Sequence, residues 1–400
     1  MTATTAAAGR AGPRRESVLL LAALLLAAVA LRPQLVGAGP LVPDMQDDLR
    51  ASHAVVGLVS TIPVLCMGLF APLAGALAGR WGLRLAMAGC LLAIAVAGLG
   101  RAAAPGVAVL LALTLPIGIA MAVAGTLLPV AVKSSFAHRP AFASGIGVTG
   151  INLGAAVSSA AAVPIASAWD GWRGALAVFS LVTLTICAGW LVLSRGAWQQ
   201  RSAARPPRLP VRRPVVWMIV LAFAMPSVVY YGLVAWISDV YVERGWSETA
   251  SGAVLAVMGI ASVPAALVVP WLADRMGSRR GWMWFACGCM ATSTLGFAAI
   301  PGGGFVWAVL TGVALGTVFP ICLTMCLDVA RDPAEAGAAA ALMFLAGYPI
   351  AALGPLGVGA VRDLAGSFEA GLWALFGVAL VLAVVLAPLS PARLRPEGEA

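Results

Sequence analysis

Apolar residues fill most of the chain in blocks of about 20 residues, and short charged stretches separate the blocks. A helix of about 20 residues crosses roughly 30 Å of hydrocarbon at 1.5 Å per residue. The strands of a membrane barrel are shorter and alternate in polarity, which these blocks do not. The pattern predicts twelve membrane-spanning helices, at residues 17–40, 53–78, 84–103, 106–132, 141–167, 173–193, 214–238, 249–272, 282–300, 304–327, 335–360 and 367–389.

The composition agrees with this pattern. Of the 400 residues, 61% are hydrophobic and 10% are charged, whereas soluble chains carry roughly 25% charged residues. The mean hydropathy is +0.97. The first block is longer than the apolar core of a signal peptide and continues into Arg32-Pro33, so we keep it as the first span. We therefore expect an all-α integral membrane protein.

The net charge of +9 depends on the side of the membrane on which Lys and Arg fall. With the N-terminus in the cytoplasm, most basic residues are cytoplasmic, and five lie outside: Arg50, Arg101, Arg173, Arg244 and Arg362. This bias predicts a multi-pass protein of the cytoplasmic (inner) membrane with both termini in the cytoplasm. Topology alone accounts for the basic surplus, so the lipid bilayer and not nucleic acid is the expected macromolecular environment.

Residues that could support catalysis or metal binding are scarce at membrane depth. The seven cysteines lie inside predicted spans, and Cys322 and Cys326 are one helical turn apart. No His or carboxylate on a neighbouring turn completes a metal site, so we interpret the cysteines as packing residues. Without a nucleophile, a metal site or an acid/base pair at depth, we expect no enzyme, no catalytic residue and no cofactor.

Several polar and aromatic residues fall near the ends of predicted spans. His53 and His138 lie at opposite membrane faces, where we expect them to be solvated. Trp169, Trp172 and Trp236 are expected to anchor span ends at the membrane interface.

Four short motifs recur in the same order in the two parts of the chain, which indicates a parallel duplication. They are GALAGRWGLR (75–84) and PWLADRMGSR (270–279), Ser-x4-Gly (52–57 and 247–252), GTLLPV (125–130) and GTVFPI (316–321), and PAFA (140–143) and PAEA (333–336). The long connection between them is rich in Arg and Pro and has no acidic residue. We predict two six-helix halves, 1–194 and 214–400, joined by a cytoplasmic basic linker at 195–213.

The Gly-x3-Asp-Arg-x-Gly-x-Arg pattern after the second and eighth spans resembles the signature of the major facilitator superfamily of transporters. The second copy keeps Asp274 and Arg275, whereas the first has Gly79 in place of the aspartate. Further motifs resemble the cyanate and nitroimidazole transporter branch: Leu31-Arg-Pro33, Gly39-Pro-Leu-Val-Pro43, Trp172-Arg-Gly-Ala-Leu176, Phe319-Pro-Ile-Cys-Leu323 and Gly347-Tyr-Pro-Ile-Ala-Ala-Leu-Gly-Pro355.

This resemblance implies twelve transmembrane helices in two pseudo-symmetric six-helix halves. It also implies a substrate site near the bilayer midplane, open alternately to either side. The repeated basic loops suggest cytoplasmic gates, with Asp274 making the second gate the stronger. The candidate gating residues are Arg80, Arg84, Asp274, Arg275 and Arg279.

Arg32 lies about 15 residues into the first span, roughly 22 Å from its cytoplasmic end. A charge at that depth costs about 2.5–3.5 kcal/mol, so the guanidinium should face the protein interior or a watery cavity. The acidic residues fall at span ends or in loops, and Asp239 comes nearest to membrane depth. Two interpretations stay open: an anionic or electronegative substrate binds Arg32, or carbonyls freed by Pro33 neutralise it as a structural strut.

Other candidate substrate-binding residues are Gln34, Asn152, Tyr230, Tyr231, Phe344 and Tyr348. Asn152 is the only Asn of the chain, and carboxamides are too few to serve a sugar. Gln34 is about 200° around an ideal helix from Arg32, so both face one cavity only if Pro33 distorts the turn. The three tyrosines could line a cavity or simply pack. Ala30 and Phe344 replace polar residues of the branch pattern, which implies a cargo more apolar than cyanate.

We therefore predict a secondary active or facilitative transporter that moves a small anionic or electronegative solute by alternating access. The alternative is an efflux carrier for small apolar or nitro-heterocyclic compounds. A channel fits the composition but is less compatible with a duplicated chain and a charge-bearing, interrupted helix. No His or carboxylate relay lies at the midplane, which disfavours proton symport. We expect a monomer.

Overall fold

A computed structural model describes residues 13–135, 140–195, 209–276, 279–331 and 333–388. Every regular element within these ranges is helical. The α-helices are α1 Pro13–Ala30, α2 Pro33–Val36, α3 Val42–Leu49, α4 His53–Leu69, α5 Leu73–Trp81, α6 Leu83–Ala102, α7 Val107–Ser135, α8 Pro140–Ala168, α9 Gly171–Leu193, α10 Pro214–Glu243, α11 Glu248–Met276, α12 Arg279–Ala299, α13 Gly304–Asp328, α14 Pro333–Ala351, α15 Leu353–Ala365 and α16 Glu369–Leu386. Gly39–Leu41 and Pro301–Gly303 are short 3₁₀ helices.

The predicted all-helical membrane fold is confirmed. Within the described residues, ten segments are long and apolar enough to cross a membrane, or eleven when α4 and α5 are counted as one. The remaining predicted span corresponds to α12, which is long enough at 21 residues but contains Trp, Ser, Thr and Gly that make it less apolar. His138 and residues 196–208 of the predicted linker lie outside the described residues.

The first span is interrupted at the position of Arg32. Helix α1 ends at Ala30, and Pro33 begins α2. A proline has no backbone N–H, so Pro33 cannot donate to the carbonyl of Val29 as a continuous helix would require. Arg32 is thereby placed between two helices and not on a regular helical face.

Helix α8 packs closely on this interruption. A side chain at Gly154 would collide with the carbonyl oxygen of Val29, and one at Gly150 would press on Ala28. Small residues at these positions let the two backbones approach, as they do at other membrane helix interfaces. The broken segment is therefore held against a neighbouring helix.

The second predicted span is also not straight. The sequence predicts one helix over 53–78, whereas the chain breaks after Leu69 and continues as α5 from Leu73. The two helices are bent by 70° relative to each other. Pro72 lies at this break, where its missing N–H ends a regular helical ladder.

We call the described residues up to Arg195 the N-terminal half and those from Leu209 onward the C-terminal half. The His53 face is the side on which α4 begins and α10 and α15 end, and the Arg84 face is the opposite side. Between the halves, α4 packs against α14 and α15, and α8 packs against α11.

The duplicated Ser-x4-Gly motif has the same structural role in both halves. Ser52 and Ser247 each accept, through the side-chain oxygen, the backbone N–H three residues on, at 3.4 and 3.3 Å. Each serine therefore caps the helix that follows. Five residues on, Gly57 lies against Pro355 of α15, and Gly252 lies against the backbone of α8. Both glycines thus make a close contact with the opposite half.

Two of the three expected interfacial tryptophans are instead buried. Trp236 is 1% exposed and donates its indole N–H to the carbonyl of Pro355 at 2.7 Å. Trp172 is also buried and donates to the carboxylate of Asp48 at 3.2 Å. The anchor prediction was wrong for both, because each indole N–H finds a partner inside the protein. Trp169 is exposed, as expected.

Candidate functional site

Arg32 reaches from the interruption of the first span toward α10 of the other half. Its Nη1 donates to the hydroxyl of Tyr231, with 3.3 Å between the nitrogen and the oxygen. Tyr230 and Tyr348 pack against Tyr231 and lie in the surroundings of the guanidinium. Within the described part of the chain, no carboxylate forms an ion pair with Arg32.

Tyr231 connects Arg32 to a third helix. The Tyr231 hydroxyl accepts from Arg32 and lies 3.9 Å from the sulfur of Met67 on α4, to which it can donate. Both partners belong to the N-terminal half, whereas Tyr231 belongs to the C-terminal half. Among the described residues, a single neutral hydroxyl therefore bonds the guanidinium at the junction of the halves.

Aromatic side chains of α10, α13 and α14 surround this junction. Tyr231 contacts Tyr230 with a ring-centroid distance of 4.9 Å and Tyr348 at 6.4 Å. Phe344 and Tyr348, one turn apart on α14, are stacked at 5.6 Å with 20° between their planes. The aromatic cluster consists of Phe223, Tyr230, Tyr231, Phe319, Phe344 and Tyr348.

Gln34 does not join this group. It is 1% exposed, and its amide nitrogen donates to Ser180 at 2.8 Å and to the carbonyl of Leu176 at 3.2 Å. Both partners lie on α9, within the N-terminal half. The break at Pro33 therefore does not bring Gln34 round to the side of Arg32.

Arg101 lies next to Gln34. The sequence places it at the outer end of the third span, and the structure agrees, with Arg101 in the last turn of α6. Its side chain is completely buried. Its Nη1 donates to the backbone carbonyl of Gln34 at 3.0 Å. Arg101 on α6 thus stabilises the broken segment, because its hydrogen bond satisfies the carbonyl of Gln34 near the interruption.

Asn152 also lies apart from Arg32. It lines a groove between α8 and α11, together with Thr149, Ile260 and Pro264. Ile260 is 62% exposed, so the groove is open and not part of the packed core. The structure therefore brings together Arg32, Tyr230, Tyr231, Phe344 and Tyr348, and leaves Gln34 and Asn152 elsewhere.

Comparison with known proteins decides the family. The model of the Major Facilitator Superfamily matches residues 18–355, which is most of the chain. The chain belongs to the major facilitator superfamily. Members of this superfamily are transporters and not enzymes, so the chain is a multi-pass membrane transporter.

Two curated relatives match along almost the whole length. The 2-nitroimidazole transporter of Escherichia coli strain K12 is 28% identical over 387 residues, covering 96% of this chain and 97% of the relative. The cyanate transport protein CynX of the same strain is 29% identical over 384 residues, covering 94% and 98%. Among solved structures, an inward-facing bacterial homologue of the human lysosomal transporter Spinster superposes with a TM-score of 0.75 at 14% identity, covering 94% and 96%.

The first copy of the superfamily's loop motif is tied to its own half. Arg84 donates through Nε to the hydroxyl of Ser194 at 3.2 Å and also to the carbonyl of Leu191. Arg80 is exposed at the end of α5. In this transporter, Arg84 therefore joins the start of α6 to the end of α9.

The second copy is described only in part, because the side chain of Asp274 lies outside the described residues. Arg279 pairs with Asp328 at 3.2 Å, and this ion pair joins the start of α12 to the end of α13 in the C-terminal half. The guanidinium of Arg275 lies over the ring of Trp271 at 3.9 Å. A gating role for these residues stays a prediction.

Three residues of the site were not predicted from the sequence. Phe223 and Phe319 complete the aromatic cluster, and Met67 contacts Tyr231. Phe223 lies seven residues before Tyr230, which places both on one face of α10. That spacing could have singled out Phe223, whereas Met67 carries no signal that separates it from an ordinary packing residue.

Proposed function

We propose that this transporter is a secondary active or facilitative carrier that moves a small anionic or electronegative solute across the cytoplasmic membrane by alternating access. Arg32 is the substrate anchor. The observation that carries the proposal is the environment of Arg32: a guanidinium at the junction of the halves, bonded to one neutral hydroxyl and to no carboxylate among the described residues.

Arg32 has no negatively charged partner among the described residues. A charge at membrane depth is costly unless something neutralises it. The guanidinium has five N–H donors in a planar fork, and the described structure occupies one of them with Tyr231. A small planar anion or a nitro group can accept two parallel hydrogen bonds from the rest.

The aromatic cluster sets the shape that such a solute should have. The flat rings of the C-terminal half beside Arg32 favour a flat, polarisable molecule that can stack on them. Cyanate and 2-nitroimidazole, named for the two relatives, are both small and electronegative. This supports the class of solute and leaves the individual solute to experiment.

A second candidate is an efflux carrier for small nitro-heterocyclic or apolar compounds. The stacked pair Phe344 and Tyr348 favours it, because aromatic faces bind a heterocycle better than they bind a small ion. Both candidates use the same site, and they differ in whether the ring or the negative charge supplies most of the affinity.

We assign the Arg84 face to the cytoplasm. Positive residues concentrate on the cytoplasmic side of membrane proteins. The described basic residues near the helix ends of this face include Arg80, Arg84, Arg195, Arg212, Arg213, Arg275, Arg279, Arg280 and Arg331. Two of them are paired with acidic residues, Arg213 with Glu335 and Arg279 with Asp328. On the His53 face, two of the arginines are paired with acidic residues, Arg173 with Asp48 and Arg362 with Glu243.

The test measures ligand binding to the purified protein. We expect sodium cyanate or 2-nitroimidazole to raise the melting temperature, since a ligand at 100 times its Kd stabilises by about 2.7 kcal/mol. Arg32→Lys keeps the charge but loses the fork and should weaken binding about tenfold or more. Arg32→Ala should abolish binding while folding at least as well as the native protein. Arg80→Ala, which removes an exposed arginine, is the matched control.

Transport is then followed in proteoliposomes as saturable uptake with counterflow, which separates a carrier from a channel. Normal transport by Arg32→Ala would show that Arg32 is not the anchor. Failure of Arg32→Ala to fold, with Arg32→Lys both stable and fully active, would assign Arg32 a structural role. Flux that never saturates would contradict alternating access.

A further inference from the structure

His53 lies between two carboxylates of the opposite half. Its Nδ1 is 2.9 Å from Oδ1 of Asp363 on α15, and its Nε2 is 3.8 Å from Oδ2 of Asp239 on α10. The backbone N–H groups of His53 and Ala54 also donate to the Asp363 carboxylate, at 3.0 and 2.8 Å. His53 is therefore not simply solvated, as the sequence suggested, because it joins the two halves at the His53 face.

The hydrogen bonds fix where the protons of this cluster must lie. Asp363 accepts three hydrogen bonds, an arrangement that suits the ionised carboxylate. The Nδ1 of His53 must then carry a hydrogen, and in a neutral ring Nε2 is an acceptor. Nε2 faces Oδ2 of Asp239, which is also an acceptor and is buried without a hydrogen-bond partner among the described residues. Two acceptors face each other, and one proton between them would satisfy both.

The surroundings favour that proton. The other charged groups that interact with Asp239 are Asp47 from α3, Glu243 from α10 and Arg362 from α15. Helices α7 and α14 also pack on α4, but their charged residues, Lys133 and Glu335, belong to the end of each helix at the Arg84 face. With neutral His53, acidic groups outnumber basic ones here, so a positive charge among them is attracted to them.

Aromatic rings flank the imidazole. Trp236 lies 5.6 Å and Phe368 lies 5.5 Å from it between ring centroids. Aromatic faces attract a cation at this distance. Both rings belong to the C-terminal half, so they contact the imidazole only while the halves meet at this face.

We propose that His53, Asp239 and Asp363 form a proton-binding site that exists only while the two halves meet at the His53 face, so that a bound proton holds this face closed. A hydronium ion gives its proton to Nε2, an N–H bond forms, and water leaves. The new N–H then points at Oδ2 of Asp239. When the halves separate, the carboxylates move away from His53 and the proton returns to water.

The exposure of the cluster shows which compartment it senses. The side chains of His53 and Asp363 are 22% and 27% exposed, whereas that of Asp239 is 8% exposed. The proton therefore exchanges with water on the His53 face and has no described route through the bundle. The site senses the pH of that compartment, and acid should hold the face closed. Histidine is the side chain suited to such a switch near neutral pH.

The proposal rests on the proposed function in one respect, because the halves must separate at this face. The experiment measures that separation directly. Nitroxide labels are attached at two exposed positions of the His53 face, Ala103→Cys in the N-terminal half and Gly302→Cys in the C-terminal half. The seven native cysteines of the labelled protein are replaced. Distances between the labels are measured by pulsed electron paramagnetic resonance from pH 8.5 to 5.5.

We expect acid to increase the short-distance population, by at most about tenfold in the closed-to-open ratio per pH unit for one linked proton. His53→Gln and Asp239→Asn should each remove this response. His138→Gln, at the other histidine of the chain, and Glu369→Gln, at an exposed carboxylate of the same face, should retain it. The melting temperature of the unlabelled native and His53→Gln proteins, compared at pH 6 and pH 8, checks the result without labels.

The outcomes separate the two proposals. A distance that responds to cyanate or 2-nitroimidazole but not to pH overturns the proton site and leaves the carrier intact. A pH response that persists in both His53→Gln and Asp239→Asn also overturns the proton site. A distance that changes with neither solute nor pH, in protein that binds solute, contradicts alternating access itself.

Discussion

The Nη1 of Arg32 and the hydroxyl of Tyr231 form a hydrogen bond of 3.3 Å that joins the two halves of the transporter. Any movement of one half against the other must lengthen this bond or carry both residues along. A solute that accepts from the guanidinium can take over that connection. The same pair therefore links substrate binding to the relative position of the halves.

Tyr231→Phe should weaken solute binding by about 1–2 kcal/mol, or roughly 5- to 30-fold in Kd. The Tyr231 hydroxyl lies between the Arg32 guanidinium and the Met67 sulfur and so orients the guanidinium. Its removal lets the Arg32 side chain adopt other rotamers. Isothermal titration of the purified variant measures the change. Tyr241→Phe, farther along α10, is the matched control. Tighter binding would show instead that the hydroxyl competes with the solute for Arg32.

Gln34→Ala should reduce stability without changing affinity. The amide of Gln34 bonds Ser180 and the carbonyl of Leu176, so its loss removes two buried hydrogen bonds at about 0.5–1.5 kcal/mol each. Thermal unfolding should occur at a lower temperature, whereas Kd should change by less than about twofold. A large loss of affinity in well-folded Gln34→Ala would restore Gln34 to the substrate site.

Phe344→Gln should shift selectivity from a nitro-heterocycle toward a small polar anion. Phe344 is stacked on Tyr348, and its replacement removes an aromatic contact of about 0.5–1.5 kcal/mol and adds an amide donor. The ratio of the Kd values for 2-nitroimidazole and cyanate should rise roughly tenfold. Phe344→Leu removes the ring without adding the amide and so separates the two contributions. An unchanged ratio would place the solute away from α14.

Gly154→Ala should destabilise the protein by about 1–3 kcal/mol through overpacking. The added methyl group would collide with the carbonyl of Val29, which is backbone and cannot turn aside. Gly89→Ala on α6 is the control, because a side chain there meets nothing within 4 Å. The midpoint of thermal unfolding is compared for both variants. Equal midpoints would mean that α8 can move away from the interrupted span at no cost.

The sequence predicts the architecture well because lipid imposes strong rules on it. Span lengths follow from the thickness of the bilayer, and the break in the first span follows from Pro33, which cannot complete a helical hydrogen bond. Arg32 was identifiable because a charge is rare at that depth. These inferences need only the residue and its place along one helix.

The direction of a side chain beyond a break is a different problem. Gln34 could have faced Arg32 or α9, and the angle of the break decides between them. The carboxylates beside His53 come from the opposite half, and the carbonyl that Trp236 bonds comes from another helix of its own half. Nothing near either residue in the sequence shows which helix will lie against it. Phe223 and Phe319 resemble any other apolar residue of a span until the helices are packed together.

The two Ser-x4-Gly motifs have a consequence for the origin of the chain. Gly57 of one half meets α15, Gly252 of the other meets α8, and α8 and α15 stand at corresponding places in the two halves. A six-helix polypeptide with one such motif would form both contacts at once by pairing with an identical copy around a two-fold axis. Fusion of two copies would then have allowed each contact to change separately. The residue after the serine now differs between the two motifs, His53 after Ser52 and Glu248 after Ser247.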